Sequence, residues 1–238
     1  TQLGWKFFKD DIWRFPIGFN PNYGIYFDGS IVFSDSIPIF AIFFKSIKFF
    51  LPENFQYFSL WILTCIYLQL FFSFKIIFKI TNNLSYSLVG SLFFCTATIF
   101  INRSGLHLSL MGQWILLSTF YIETTEYKNK LLYKILNLMM SITIHFYFTI
   151  IIILFYMFKA IYDFLQKPTR VGVILKEFSL ISVSSILIMF LVGYFTINLD
   201  DGLGWGYGYY NYNLNSFFNP SGNNYVYNFN WSQFLPEQ

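Results

Sequence analysis

Residues 131–164 read LLYKILNLMM SITIHFYFTI IIILFYMFKA IYDF, and how this run is divided decides the fold. As one helix at ~1.5 Å per residue it would be about 50 Å long, against a hydrocarbon core of about 30 Å. One span cannot hold it. The run is interrupted at Thr143-Ile144-His145, and a division there gives two short helices, one crossing in each direction. Four further apolar runs lie around it, at 56–78, 84–101, 106–122 and 178–197. The expectation is an all-α polytopic membrane protein with six transmembrane helices and both ends on one side.

Charge placement agrees with that division. The connections at 75–79, 123–134 and 159–177 carry Lys75, Lys79, Lys128, Lys130, Lys134, Lys159, Lys167, Arg170 and Lys176, nine of the 15 basic residues. Short basic connections stay cytoplasmic. Eight of the 12 acids fall on the opposite side: Asp10, Asp11, Asp28, Asp35, Glu53, Asp200, Asp201 and Glu237. An unbroken 131–164 span would move the basic 159–177 connection outside.

Composition fits the same class. Of 238 residues, 55% are hydrophobic and 11% charged, where soluble domains carry roughly 25% charged residues. The net charge of +3 forms no basic stripe, which argues against a nucleic-acid partner. Cys65 and Cys95 both sit inside apolar runs and read as packing residues. The chain opens on Thr1 without a signal-peptide pattern and stops at 234–238 without a closing element, so it reads as an internal piece of a longer protein.

Three regions follow. Residues 1–55 form an outer-face loop with amphipathic surface helices at 3–13 and 37–50. Residues 56–197 are the transmembrane region. Residues 198–238 form a second outer loop rich in aromatics, Asn and Gly.

Each loop holds candidate chemistry. Asp35, between two serines and three residues before Pro38, has two readings. It caps the helix that starts near Pro38, or it is an acid at the bilayer surface that accepts a proton or binds a metal. Asp10 and Asp11 are adjacent, so at most one of them serves a site. The turn 102–107 places Arg103 and His107 at the outer boundary, as headgroup anchors or as a clamp on a lipid-linked phosphate. His145 sits at the helix break, where a polar group tends to face a wet cavity. In the second loop Trp205, Tyr207, Tyr209 and Asn213 offer ring faces and amides that suit a sugar, or else an aromatic belt. Its alternating glycines do not match a dinucleotide fingerprint.

Several stretches resemble one bacterial membrane family, that catalogued as domain of unknown function 6311. They are Leu3-Gly-Trp-Lys-Phe-Phe-Lys9, Trp13-Arg-Phe-Pro-Ile-Gly-Phe-Asn-Pro21, Ser30-Ile-Val-Phe-Ser-Asp-Ser-Ile-Pro38, Phe55-Gln-Tyr-Phe58 with Leu60-Trp61, and Asn213-Leu-Asn-Ser216 with Phe218-Asn-Pro220. That family's architecture resembles the GT-C superfamily of polyprenyl-phosphate-sugar glycosyltransferases. The resemblance implies a catalytic acid in the first outer loop, at Asp35 and more weakly Asp11. It also implies Mg²⁺ or Mn²⁺ as a cofactor, held at Asp35. Donor phosphate or lipid would meet Arg103, His107 and His145. The implied partners are membrane lipid, a polyprenyl-phosphate-linked sugar and a glycan or lipid acceptor, at the outer face of a bacterial inner membrane. Two departures stand out. The family's acid upstream of Leu3-Gly-Trp5 precedes the start of this sequence, and Gln113 stands where a His is frequent. A non-catalytic transporter or assembly subunit for lipid-linked glycans is the alternative.

Overall fold

The computed structural model describes residues 2–23, 29–166 and 171–196. Nine α-helices form among them: α1 (Gln2–Asp10), α2 (Pro38–Ser46), α3 (Phe58–Thr81), α4 (Leu84–Thr96), α5 (Thr98–Leu106), α6 (Trp114–Thr124), α7 (Lys130–Ile144), α8 (Phe146–Gln166) and α9 (Val171–Val192). Short 3₁₀ turns stand at Ile31–Phe33, Lys48–Phe50 and Leu108–Met111.

Three of these helices, α3, α8 and α9, are long and apolar enough to cross a membrane. The α4–α5 pair, bent by 44° at Ala97, makes a fourth if it is one span. The chain is thus a multi-pass membrane protein with three or four candidate spans, and the expected six is corrected. The reason is length. Helix α6 has 11 residues and α7 has 15. At ~1.5 Å per residue they reach about 16 and 22 Å, short of a core of about 30 Å. The 106–122 run loses nearly its first half to the end of α5, the 3₁₀ turn at Leu108–Met111 and the turn through Gly112. The last span also starts earlier than expected, at Val171 rather than near residue 178. Lys159 and Lys176 therefore lie in helices, as do Lys75 and Lys79.

The spans expose rather than hide their apolar side chains. Leu63, Phe93 and Val183 are 64%, 71% and 63% exposed. That much bare aliphatic and aromatic surface is stable against lipid and not against water.

The division at His145 holds. Helix α7 ends at Ile144, His145 is extended, and α8 starts at Phe146. The Ser141 and Thr149 hydroxyls meet at 3.1 Å across the resulting hairpin. The next hairpin inward is also local in origin. Asn82 closes α3 in the left-handed conformation, and the Asn83 side chain accepts from the Tyr86 N–H to open α4.

Cross-contacts fix the directions. The Trp61 indole donates to the Leu108 carbonyl at 2.7 Å, Phe72 stacks on Trp114, and the Lys79 ammonium donates to the Thr124 carbonyl. Residues 108–124 therefore run parallel to α3. Two ends of the bundle emerge. One gathers Lys79, Glu123, Lys130, Lys134 and Glu177. The other holds Asp35, His107 and His145, beside α1 and the start of α2.

Aromatics build the second end. Trp5 meets Tyr57 edge-on at 4.9 Å, and Phe40 and Phe44 pack on Tyr57. The segment before Ile31 is tied to α9, where the Ser30 hydroxyl donates to the Val192 carbonyl at 2.9 Å.

Candidate functional site

Asp35 is held by an unusual piece of backbone. Its φ is +53°, and two residues later Ile37 has φ +48°. An Asp tolerates the left-handed region, but a β-branched residue there is a true outlier, and this one also precedes a proline. Strain of order 1–3 kcal/mol per residue persists only where the surroundings enforce it. Here Ile37 is fully buried and Pro38 starts α2. Two contacts support the turn. Gly4 of α1 lies so close that a Cβ there would stand 2.5 Å from the Ser34 Cβ. The Tyr57 phenol donates to the Ser36 carbonyl. Burial, and secondarily the Asp35 charge, push that phenol well above the usual tyrosine range, so it remains a donor.

Asp35 does not cap α2. The residue at that helix start is Ile37, with no side-chain cap. The carboxylate instead reaches 74 residues along the chain. Its Oδ1 accepts from the Ser109 N–H at 3.1 Å and also from the Ser109 hydroxyl. It thereby caps the 3₁₀ turn Leu108–Met111 from outside, as an N-terminal acid satisfies orphan amides. Oδ2 lies 3.9 Å from the His107 Nδ1. The Asp35 side chain is 21% exposed and that of His107 60%, so one edge of the pair is open.

His145 completes the group at longer range. Its Nδ1 accepts from the Tyr147 N–H at 3.2 Å, which opens α8 and leaves Nε2 as the donor of the neutral ring. Burial holds this imidazole below the usual histidine range, Asp35 pulls it up and His107 pushes it down. Gly112 permits the approach, since a Cβ there would lie 2.7 Å from the Ile144 Cγ2. The turn carrying His107 and Ser109 can therefore lie against the α7–α8 break.

The other expected residues fall differently. Asp11 is engaged by Arg14, with Nε to Oδ2 at 3.0 Å and Nη2 to Oδ1 at 3.3 Å, and by the Ile12 N–H at 2.8 Å. The guanidinium holds its carboxyl below the usual range. No contact among the described residues brings it to Asp35. Arg103 lies in the last turn of α5, because 102–106 is helical and the connecting turn starts at His107, five residues later than expected. It has no partner among the described residues. Trp205, Tyr207, Tyr209 and Asn213 lie outside the described residues.

Among the described residues no three His, Cys, Asp or Glu side chains are grouped to hold a metal ion. Asp35 is a single carboxylate with one oxygen turned to Ser109. Mg²⁺ commonly binds through one or two carboxylates plus substrate phosphates, so a cation would need donor phosphate oxygens as well as Asp35.

Sequence reasoning missed Ser109 and Tyr57, which position the Asp35 turn. A serine inside the apolar run 106–122 was the available signal for Ser109.

Residues 1–238, the whole chain, match the family described as Domain of unknown function (DUF6311). No curated protein and no solved structure matches the chain. The match bears out the family and does not extend to the GT-C superfamily.

Proposed function

We propose that this chain, which belongs to the DUF6311 family, is a glycosyltransferase-like protein working at the outer face of a bacterial inner membrane. The donor is a polyprenyl-phosphate sugar and the acceptor a glycan or lipid. One observation carries the reading: a positioned carboxylate with one oxygen anchored by Ser109 and the other turned toward an exposed histidine. The Lys79–Lys134 end is then cytoplasmic, in line with the positive-inside rule.

In this mechanism the acceptor hydroxyl gives its proton to Asp35 Oδ2. Its oxygen forms a bond to the anomeric carbon. The bond from that carbon to the phosphate oxygen breaks, and the electron pair leaves with polyprenyl phosphate. Ser109 keeps the carboxylate from rotating away, and positioning of this kind is what general base catalysis requires. His107, when protonated, and Arg103 would receive the phosphate, since cations stabilise a leaving anion. A Mg²⁺ or Mn²⁺ ion would add charge stabilisation there, but none of these steps is routed through it.

The competing reading is a non-catalytic handler of lipid-linked glycans. It draws on Gln69, a buried amide in α3 whose Oε1 lacks a hydrogen bond among the described residues. The test is transfer by the full-length protein in native membranes, read as release of polyprenyl phosphate. Loss of release in Asp35→Asn at unchanged membrane abundance is expected. Normal release by that variant overturns the reading.

A further inference from the structure

A concavity lies beside the Asp35 turn, between α1 and the segment that leads into α3. It measures about 240 Å³ and is lined by residues of Gln2–Asp10 and by residues 53–56. At ~30 Å³ per water it holds about eight waters, a volume on the scale of a single sugar ring and not of a long glycan.

Its chemistry is mixed and electrically balanced. Two lysines, Lys6 and Lys9, face two acids, Asp10 and Glu53. Lys9 is engaged already, 3.6 Å from the Asp10 carboxylate and donating to the Glu53 carbonyl. A phosphate would meet two carboxylates and only one uncommitted ammonium. A neutral ligand meets no such conflict. Three amides, Gln2, Asn54 and Gln56, also line the cavity, and none has a hydrogen-bond partner among the described residues. Each amide offers both donors and an acceptor, the combination that hydroxyl groups use. An apolar wall stands behind them. Phe55, half-buried, supplies the accessible ring, and Trp5, 2% exposed, holds it in place through its indole N–H on the Phe55 carbonyl at 3.0 Å. Aromatic carbon beside amides suits the apolar C–H face and hydroxyl edge of a sugar ring.

The wall is also mechanically joined to the candidate site. Trp5 meets Tyr57 edge-on, and Tyr57 donates to Ser36, the neighbour of Asp35. Gly4 rests directly on Ser34 and Ser36.

From this geometry we infer that the cleft is a subsite for a neutral saccharide, one sugar unit of the acceptor glycan. The inference rests on the glycosyltransferase reading for its role, though not for the binding itself. A charged lipid headgroup is the other ligand that the paired charges could admit, and the test separates the two.

The experiment uses the full-length protein in nanodiscs, probed with an array of neutral oligosaccharides, with native mass spectrometry for retained phospholipid. The variant is Asn54→Ala with Gln56→Ala; both side chains are exposed, so an unchanged melting temperature is expected. The expected result is saccharide binding that weakens at least tenfold in this variant and persists in Asp35→Asn. Absence of binding to every neutral glycan, or equal binding by the variant, overturns the subsite. So does retention of phospholipid that is lost in Lys6→Ala. The two readings fail separately. Saccharide binding at the cleft with normal transfer by Asp35→Asn leaves the subsite and removes the catalytic role of Asp35. Loss of transfer in Asp35→Asn with no binding at the cleft does the reverse.

Discussion

Two lysines, one partly and one fully buried, show how differently the ends of this bundle are built. Lys134, at one end, is 2.8 Å from a Glu123 oxygen and 3.7 Å from Glu177, and Lys130 joins the same Glu123 at 3.3 Å. These pairs tie α6, α7 and α9 together. Lys45, at the other end, is 1% exposed and has no carboxylate within ion-pair distance among the described residues. It lies 4.0 Å from the Phe8 ring centre and 4.7 Å from that of Trp13, and donates to the Ile12 carbonyl at 3.2 Å. The Lys134 end is closed by pairing. The Asp35 end tolerates a buried cation with no ion-pair partner among the described residues, two left-handed non-glycine residues and a partly exposed carboxylate. Departures from local rules mark functional sites in many proteins, and the backbone departures here gather at the Asp35 turn.

The sharpest way to break this contrast is Asp35→Asn. The amide oxygen still accepts from Ser109, so the turn should survive, while proton acceptance is lost. General base contributions are about 10² to 10⁴-fold, and transfer should fall by at least about 10²-fold. Membrane abundance should match the parent. A collapse of abundance instead would make Asp35 a structural cap, and the two ends would then differ in style only.

The reverse effect is expected at the other end. Lys134→Met leaves Glu123, whose side chain is 6% exposed, with one partner fewer. A fully orphaned buried charge costs roughly 3–5 kcal/mol, and because Lys130 still faces Glu123 the loss should be a fraction of that, about 1–2 kcal/mol. Thermal unfolding in detergent should shift down accordingly, while transfer per folded molecule is preserved. Transfer that falls with unchanged stability would bring the Lys134 end into the function.

Lys45 gives a pH signature to its end. Burial lowers its pKa from the ordinary 10.5 to about 8, with Asp11 opposing and Lys48 and Arg14 reinforcing the shift. Between those values the unfolded chain keeps a proton that the folded protein has released. The unfolded state binds more protons there, so stability rises with pH across that window. Melting temperature should therefore climb from about pH 8 toward 10 in the parent, as measured by differential scanning fluorimetry. In Lys45→Met the climb should be reduced. An equal climb in both proteins would assign it to other groups.

How much of this was legible beforehand follows from range along the chain. Helices α1 and α2 were readable as helices because their apolar residues recur at helical spacing. The break at His145 was readable because a 34-residue apolar run cannot be one span. The basic end was readable because its lysines cluster in sequence. The count of spans was not. Hydropathy reports apolar residues, and 106–122 is apolar whether it forms one helix or a 3₁₀ turn followed by a short one. The role of Asp35 was half readable. Its position before Pro38 suggested a local cap, and a local cap was the wrong partner. Capping depends on where an orphan amide lies in space, and the nearest one belonged to Ser109, 74 residues away.

Ser109→Ala tests that distant cap most finely. The methyl removes the hydroxyl that donates to Asp35 but leaves the backbone N–H in place. Stability should fall by about 1 kcal/mol, the usual net worth of one hydrogen bond. If Ser109 only holds the 3₁₀ turn, transfer per folded molecule is unchanged. If it also keeps Oδ2 aimed at the acceptor, the rate drops by less than in Asp35→Asn, and Ser109→Thr, which restores a hydroxyl, recovers it. Rescue by threonine of the rate, beyond any rescue of the melting temperature, would mark Ser109 as a positioning residue and not merely a fold contact.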